Sequence, residues 1–294
     1  MTLFNWFKGN FKKVVTHKNP VKFLMVHSFK KIIRIISTRY PHFLDIVPII
    51  YKKGNFNLRL APTLLSYVMY EYENVREEDE KFIAKLLDKG DVYIDVGANV
   101  GNTTLSAAFG VGDVGCVYSF EAHPRTYRYL LGSIACNKKL ISRIKTKNVA
   151  LGEKQGEVFF TDLQNDDINK VSNSGKIKVK METLDEQNFP EKIKLLKIDV
   201  EGYELFVLQG AKKTLQKTDI VIFESFIKNY QVFNVNLIDI IKLLKDSGFS
   251  LYKIEENIIS NIEDDYVSHD CEDLIAIRDI KLLLDKGFLL DNNK

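Results

Sequence analysis

The chain has 294 residues, 45% of them apolar and 28% charged, which suits one catalytic domain with an elaborated end and excludes wholesale disorder. Its formal net charge of +3 conceals an asymmetry. Residues 1–44 carry nine Lys or Arg and no Asp or Glu, which leaves 33 basic against 39 acidic residues, a net of −6, for the remainder. Cys116, Cys136 and Cys271 form no CxxC pair and no Cys/His cluster, so a disulfide framework and a structural zinc site are not expected and a reducing, cytoplasmic setting is.

Residues 1–45 form a basic amphipathic N-terminal extension, its cations interleaved with Trp6, Phe7, Phe11, Phe23, Phe29, Ile32, Ile33, Ile35 and Ile36. No run approaches the roughly 20 apolar residues of a membrane span. The short, broken apolar stretches also lack the form of a secretory signal. Two readings stand: 1–44 contacts the inner face of an anionic membrane peripherally, or it caps the main domain and leaves its lysines solvated.

Residues 46–90 read as a hairpin and helix leading into the core. The runs 46–51 and 56–60 flank Lys52-Lys53-Gly54-Asn55, a hairpin turn, and a strand-like pattern continues to about Glu73. The stretch 76–88 spaces Phe82, Ile83, Leu86 and Leu87 as an amphipathic helix, with Gly90 placed to end it.

Over 91–294 strands and helices alternate. Strands are expected at 92–96, 115–120, 144–150, 195–200, 219–223, 249–254 and 274–278, and helices at 102–108, 123–136, 203–215 and 237–246. An antiparallel pair, 158–161 and 177–181, is inserted with a polar loop, 162–176, that is mobile or substrate-facing. This rhythm predicts an α/β fold with a mostly parallel, seven-stranded Rossmann-like sheet and helices on both faces.

The informative string is Asp95-Val96-Gly97-Ala98-Asn99-Val100-Gly101-Asn102, in which a strand runs into a two-glycine turn and a helix follows. Ligands of open α/β sheets bind at the carboxyl ends of strands, and Gly97 and Gly101 would clear side chains from that approach. Glu121 stands 24 residues beyond Gly97, at the end of the second strand, where a carboxylate can accept both hydroxyls of a ribose. The dinucleotide fingerprint is missing because Thr104 falls where its third glycine would be. An acidic turn suits a sulfonium and an amine better than a pyrophosphate. An NAD-type oxidoreductase is therefore the weaker enzymatic reading. A membrane- or nucleic-acid-binding protein acting through its basic arm is the alternative of another class, though no nucleic-acid-binding module is visible and no such partner is expected.

Several ordered motifs carry a family resemblance. They are the Asp95–Asn102 string, Phe120-Glu121-Ala122-His123-Pro124, Asn148-Val149-Ala150-Leu151-Gly152-Glu153, Lys197-Ile198-Asp199-Val200-Glu201-Gly202-Tyr203-Glu204, Val207-Leu208-Gln209-Gly210-Ala211, Ile222-Phe223-Glu224 and Asp273-Leu274-Ile275-Ala276-Ile277. Together they resemble the FkbM-type methyltransferases over roughly 46–278. The resemblance implies a class I methyltransferase fold, S-adenosyl-L-methionine as donor, and O-methylation of a sugar, a glycan precursor or another hydroxylated metabolite. By the same resemblance Asp95, Gly97, Asn99, Gly101 and Asn102 line the methionine end of the cofactor, and Glu121 holds the ribose. Ala122, Asn148, Val149 and Ala150 flank the adenine.

An alcohol is a weak nucleophile, so a base or a metal near the acceptor oxygen helps. Asp199 and Glu201 at the mouth of the fourth strand, with Glu224 at the end of the fifth, are the catalytic candidates. Strand alternation would put Asp199 and Glu201 on one side. One acid acts as base, or two hold a divalent cation; a metal is not expected, since no His/acid spacing demands one. Alternatively Glu201 and Glu204 cap the helix that follows. His123 reads as a cap or surface group, Tyr127, Tyr129 and Tyr203 as packing residues, and His269 and Asp270 as part of a solvated acidic loop. Asp166, Asp167 and Asn169 are placed to touch an acceptor sugar.

Overall fold

The computed structural model describes residues 20–40, 43–72, 75, 77–163, 169–172, 174–268 and 270–291. Asp166, Asp167 and His269 lie outside them.

Helix α1 (Pro20–Arg39) and a single turn, α2 (Phe43–Ile46), lead to the hairpin β1 (Ile50–Lys53) and β2 (Phe56–Arg59). The hairpin pairs Lys53 with Phe56, so Gly54 and Asn55 alone make the turn and the first strand starts four residues later than expected. The strand-like reading up to Glu73 is corrected here: Leu64–Glu71 is a helix, α3. Its start is fixed by Thr63, whose hydroxyl accepts from the Ser66 N–H at 3.0 Å. It shows no single apolar face because Ser66, Tyr67, Met69 and Tyr70 are all buried, and burial on several sides erases periodicity. Helix α4 (Glu77–Leu86) follows as expected.

The central sheet then builds from β3 (Val92–Val96), α5 (Asn102–Gly110), β4 (Cys116–Phe120), α6 (Pro124–Ala135) and β5 (Ile144–Lys147). The third predicted strand, 144–150, is in fact two: β6 (Ala150–Leu151) leaves the main sheet to pair with the insert, β7 (Gly156–Phe160) and β8 (Ile177–Glu182). After β9 (Ile193–Ile198) the predicted helix 203–215 is broken at Gly210-Ala211 into α7 (Glu204–Gln209) and α8 (Lys212–Gln216). A Cβ on Gly210 would stand 2.0 Å from the Gly152 carbonyl oxygen, so the insert is pressed against this break. Then come β10 (Thr218–Ser225), α9 (Ile227–Val232), α10 (Leu237–Asp246), β11 (Ser250–Glu255), β12 (Ile258–Asn261), β13 (Glu272–Ile277), α11 (Lys281–Leu284) and β14 (Leu289–Leu290).

The sheet order is β14-β12-β11-β13-β10-β9-β3-β4-β5. It therefore has nine strands among the described residues, two more than expected, because the short β12 and β14 extend the far edge. Strands β5, β4, β3, β9 and β10 are mutually parallel, and β13 runs antiparallel between β10 and β11. Alternation divides the strand residues between two cores. Tyr93, Leu195, Ile220 and Ile222 face α5 and α6, while Ile94, Val96, Leu196, Ile198, Val221 and Phe223 face α7, α8 and α10.

The first core also takes in Phe56, Leu58, Leu60, Met69, Ile83 and Leu86, so hairpin, α3 and α4 share it with α5 and α6. Asn57 and Asn137 exchange two hydrogen bonds, 2.9 and 2.7 Å, and the Arg59 N–H donates to Ser133 Oγ at 3.1 Å. Buried between β1 and α4, the Lys53 ammonium lies 2.6 Å from a Glu80 oxygen and donates to the Val75 carbonyl at 2.6 Å.

Chain order leaves β3 toward β4 and β5 and returns on its other side to β9. That reversal opens a crevice at the carboxyl ends of β3 and β9, the place where such sheets take ligands.

Candidate active site

A cavity of about 320 Å³ occupies that crevice. Its wall includes Gly97, Asn99 and Asn102 from the turn after β3, Glu121, Ala122, His123 and Thr126 after β4, and Val149 and Ala150 after β5. Asp199, Glu201, Tyr203 and Glu224 close the side toward β9 and β10. Two contributions escaped the sequence reading: Leu65, Met69 and Asp79 enter from α3 and α4, and Phe160 and Val171 join Asn169 from the insert.

The turn after β3 is shaped by contacts within the protein. Gly97 has φ +87°, and a Cβ there would lie 1.9 Å from the Asp199 carbonyl oxygen, so only glycine lets the ends of β3 and β9 meet. Asn99 is itself left-handed, with φ 49°. Gly101 (φ +94°) faces Leu130, not the cavity, and a Cβ on it would come within 2.7 Å of the Leu130 side chain. Asp95 is likewise absent from the wall. Fully buried, it accepts from the hydroxyls of Thr103 at 2.9 Å and Thr104 at 2.6 Å, which pins the start of α5. Thr104, the residue in place of a third glycine, also meets Ser119 Oγ at 2.9 Å. Burial raises the Asp95 carboxyl above its usual range, against the opposing pull of Lys197. Asn148 is the third residue expected at the cofactor that the cavity does not include: its amide donates to the carbonyls of Glu121 at 2.7 Å and Ala122 at 2.9 Å, which braces the end of β4.

Glu121 is buried at the wall, its carboxylate held from behind by two backbone N–H groups. Asn99 N–H donates to Oε2 at 2.9 Å and His123 N–H to Oε1 at 2.8 Å. Each oxygen keeps acceptor capacity beyond these bonds. Asn99 Oδ1, Asn102 Oδ1 and Thr126 Oγ1 are buried on the same wall and have no hydrogen-bond partner among the described residues. Such groups are costly unless a ligand or water meets them. His123 corrects the surface reading: it begins α6, yet its ring is buried in the wall, with Nε2 3.7 Å from Asp162.

The acids converge by a different route from strand alternation. β9 ends at Ile198, and Glu201 (φ 56°) and Gly202 (φ 100°) turn the chain through the left-handed region. A Cβ on Gly202 would lie 2.6 Å from the Asn229 carbonyl oxygen. One oxygen each of Asp199, Glu201 and Glu224 then falls within 4.8 Å of the others. Lys197, buried beneath them, donates to Asp199 Oδ2 at 2.7 Å. Burial alone would lower the Lys197 pKa, but Asp199, Asp95 and Asp273 raise it, so it stays charged. Asn229 Nδ2 donates to Glu201 Oε2 at 2.8 Å. Glu224 receives the Cys271 thiol at 3.2 Å, and burial, then the charges of Asp199 and Glu201, push its pKa up to about 7. Glu204, not Glu201, caps the turn, accepting from the N–H of Val200 at 3.0 Å and Gly202 at 3.3 Å, and burial lifts it to about 8. Tyr203 stacks on Phe206 with centroids 4.4 Å apart and presents its ring to the cavity.

The family model described as the methyltransferase FkbM domain matches residues 95–251. The hexuronic acid methyltransferase AglP of Haloferax volcanii is 25% identical over 189 residues, spanning 62% of this chain and 74% of that protein. Among solved structures, methyltransferase FkbM from Methylobacillus flagellatus KT is 14% identical over 72% of this chain and 54% of its own, with a TM-score of 0.45. An S-adenosylmethionine-dependent O-methyltransferase from Thermotoga maritima is 18% identical over 76% and 73%, with a TM-score of 0.40.

Proposed function

The chain belongs to the FkbM family of S-adenosylmethionine-dependent methyltransferases, and from that premise we propose that it methylates a hydroxyl of a sugar or glycan precursor. The observation that carries this reading is the meeting of Asp199, Glu201 and Glu224 on the cavity that also holds Glu121 and the turn after β3. Family membership displaces the oxidoreductase alternative.

The wall fits the donor. Glu121 accepts the ribose hydroxyls, Ala122, Val149 and Ala150 flank the adenine, and Gly97, Asn99 and Asn102 lie toward the methionine end. The oxygens of Asn99, Asn102 and Thr126, without partners among the described residues, provide acceptors for the donor's hydroxyls and ammonium. When bound, S-adenosylmethionine supplies a methyl group on a positively charged sulfur. Around the acceptor, Lys197 holds and aims Asp199, Asn229 fixes Glu201, and both carboxylates accept from sugar hydroxyls. Glu224, the acid with the weakest partner, takes the proton of the reacting hydroxyl. Three carboxylates this close would repel a further anion. The reacting group is therefore a neutral hydroxyl, although AglP is named for a hexuronic acid. No metal is invoked, since an ammonium already compensates Asp199. The three cysteines are free, in keeping with a cytoplasmic reaction.

Calorimetric titration with S-adenosylhomocysteine, followed by transfer of labelled methyl to sugar acceptors, tests this. A label that survives mild alkali is an ether and supports the reading. Release by alkali marks a methyl ester and overturns it, and failure of the folded protein to bind S-adenosylhomocysteine removes the donor assignment as well.

A further inference from the structure

Among the described residues, helix α1 rests on the body of the protein along one face. On that face Ile33 joins the first core, Ser37 is fully buried, and Arg34 pairs with Glu71 at 3.2 Å. The Lys30 ammonium lies 5.1 Å from the centre of the Tyr70 ring. Phe29, Ile32 and Ile35 follow one another at the three-residue spacing that makes helix neighbours, on the side away from these contacts. They are 59%, 53% and 60% exposed. Beyond the helix the same exposure continues along the chain at Tyr40, Ile46 and Val47, with 80% at Ile46. Three large apolar side chains in a row on a solvent-facing helix mark a contact surface.

The charge around that stripe selects its occupant. Residues 1–44 carry nine cations and no anion, against a net of −6 elsewhere. Two copies of this segment meeting face to face would repel each other. An anionic lipid surface meets both requirements at once, acyl chains for the apolar stripe and phosphates for the cations beside it. Among the described residues no helix is long and apolar enough to cross a membrane. We propose that the Phe29, Ile32 and Ile35 face of α1 docks flat on an anionic bilayer, with Lys31 and Arg39 at its margin. This contact stands independently of the acceptor hydroxyl and of the catalytic acids.

Flotation of the whole chain with lipid vesicles tests it. One set is phosphatidylcholine alone, and the other contains roughly a third phosphatidylglycerol, which supplies the negative surface potential that basic segments sense. The wild type floats with the anionic vesicles, stays behind with the neutral ones, and is released by raised salt. The triple variant Phe29→Ser, Ile32→Ser, Ile35→Ser loses about tenfold in partitioning, since its apolar anchor is gone. Lys31→Gln with Arg39→Gln weakens binding to anionic vesicles only. Unchanged binding of S-adenosylhomocysteine by these variants shows that the fold persists, and Ile32→Ser alone supplies a milder version of the same test. The proposal is overturned if the wild type ignores anionic vesicles, or if the triple variant floats as well as the wild type. A concentration-dependent dimer that the triple variant abolishes would assign the face to a second copy, and tighter binding to duplex DNA than to vesicles would assign it to nucleic acid; either result also overturns it.

Discussion

The role proposed for Glu121 rests on what stands behind it. Two backbone N–H groups orient the carboxylate toward the cavity, one on each oxygen. Glu121→Ala should weaken S-adenosylhomocysteine binding by roughly thirtyfold or more in calorimetry, the size expected for losing charged hydrogen bonds of about 2 kcal/mol. Glu224 differs in kind. Its carboxyl is lifted to about 7 by burial and by its acidic neighbours, so as a base it works only when deprotonated. The rate should therefore rise with pH through about 7, and Glu224→Gln should remove that limb. The same substitution should lower kcat by about 10²- to 10⁴-fold with donor affinity unchanged. Asp199→Asn should leave the limb in place at a lower pH, because one of the charges that raise Glu224 is gone. The types of these residues were legible in sequence, since turn, acid and strand end occur in the expected order. Their partners were not: Lys197, Asn229 and Cys271 lie 2, 28 and 47 positions from the acids they hold, and only folding brings the distant two into reach.

At the scale of elements, the readable parts are those with one buried face. Helix α10 matched its predicted span because Ile240, Ile241 and Leu244 are buried along one side. Helix α3, wrapped on several sides, read as strand; β12 and β14, at four and two residues, are too short to leave a pattern. The acids were expected to converge along a strand, yet convergence comes from the left-handed turn at Glu201-Gly202. Gly202 in that turn and Gly97 in the turn after β3 both press on backbone carbonyls, so neither position tolerates a side chain. Gly97→Ala should destabilise the protein by about 3 kcal/mol or more in denaturant titration, combining strain at positive φ with a steric conflict against Asp199. The Lys53–Glu80 pair behaves differently. Lys53→Met alone should cost about 3–5 kcal/mol because it strands Glu80 in the core, whereas Lys53→Met with Glu80→Leu should recover most of the loss.

For the molecule as a whole, the buried acids make stability depend on pH in a defined direction. Glu204 and Glu224 have folded pKa values of about 8 and about 7, both raised chiefly by burial. A carboxyl raised on folding contributes stability that is fully present below its unfolded pKa and is lost as pH rises through the folded value. The thermal midpoint without ligand should therefore fall as pH climbs from about 4.5, the unfolded value, to about 8, and Glu204→Gln should flatten the upper part of that fall. Gln keeps the oxygen that accepts from Val200 and Gly202, so the cap survives. The global layout of strands and helices was legible from their alternation. The extent of the shared core was not, because contacts between 56–87 and α5 and α6 leave no local signature.

The cavity wall has one more implication. Leu65, Met69 and Asp79 shape the chamber from outside the stretch 95–251 that carries the family match. On the proposed placement of the donor at Glu121, part of the chamber's contour is thus encoded outside the passage that grips the donor. Exchanging 46–90 between relatives, with the matching surface of α6 carried along, would then work as a cassette: acceptor preference would travel with the transplanted piece, while donor affinity would stay behind with the recipient.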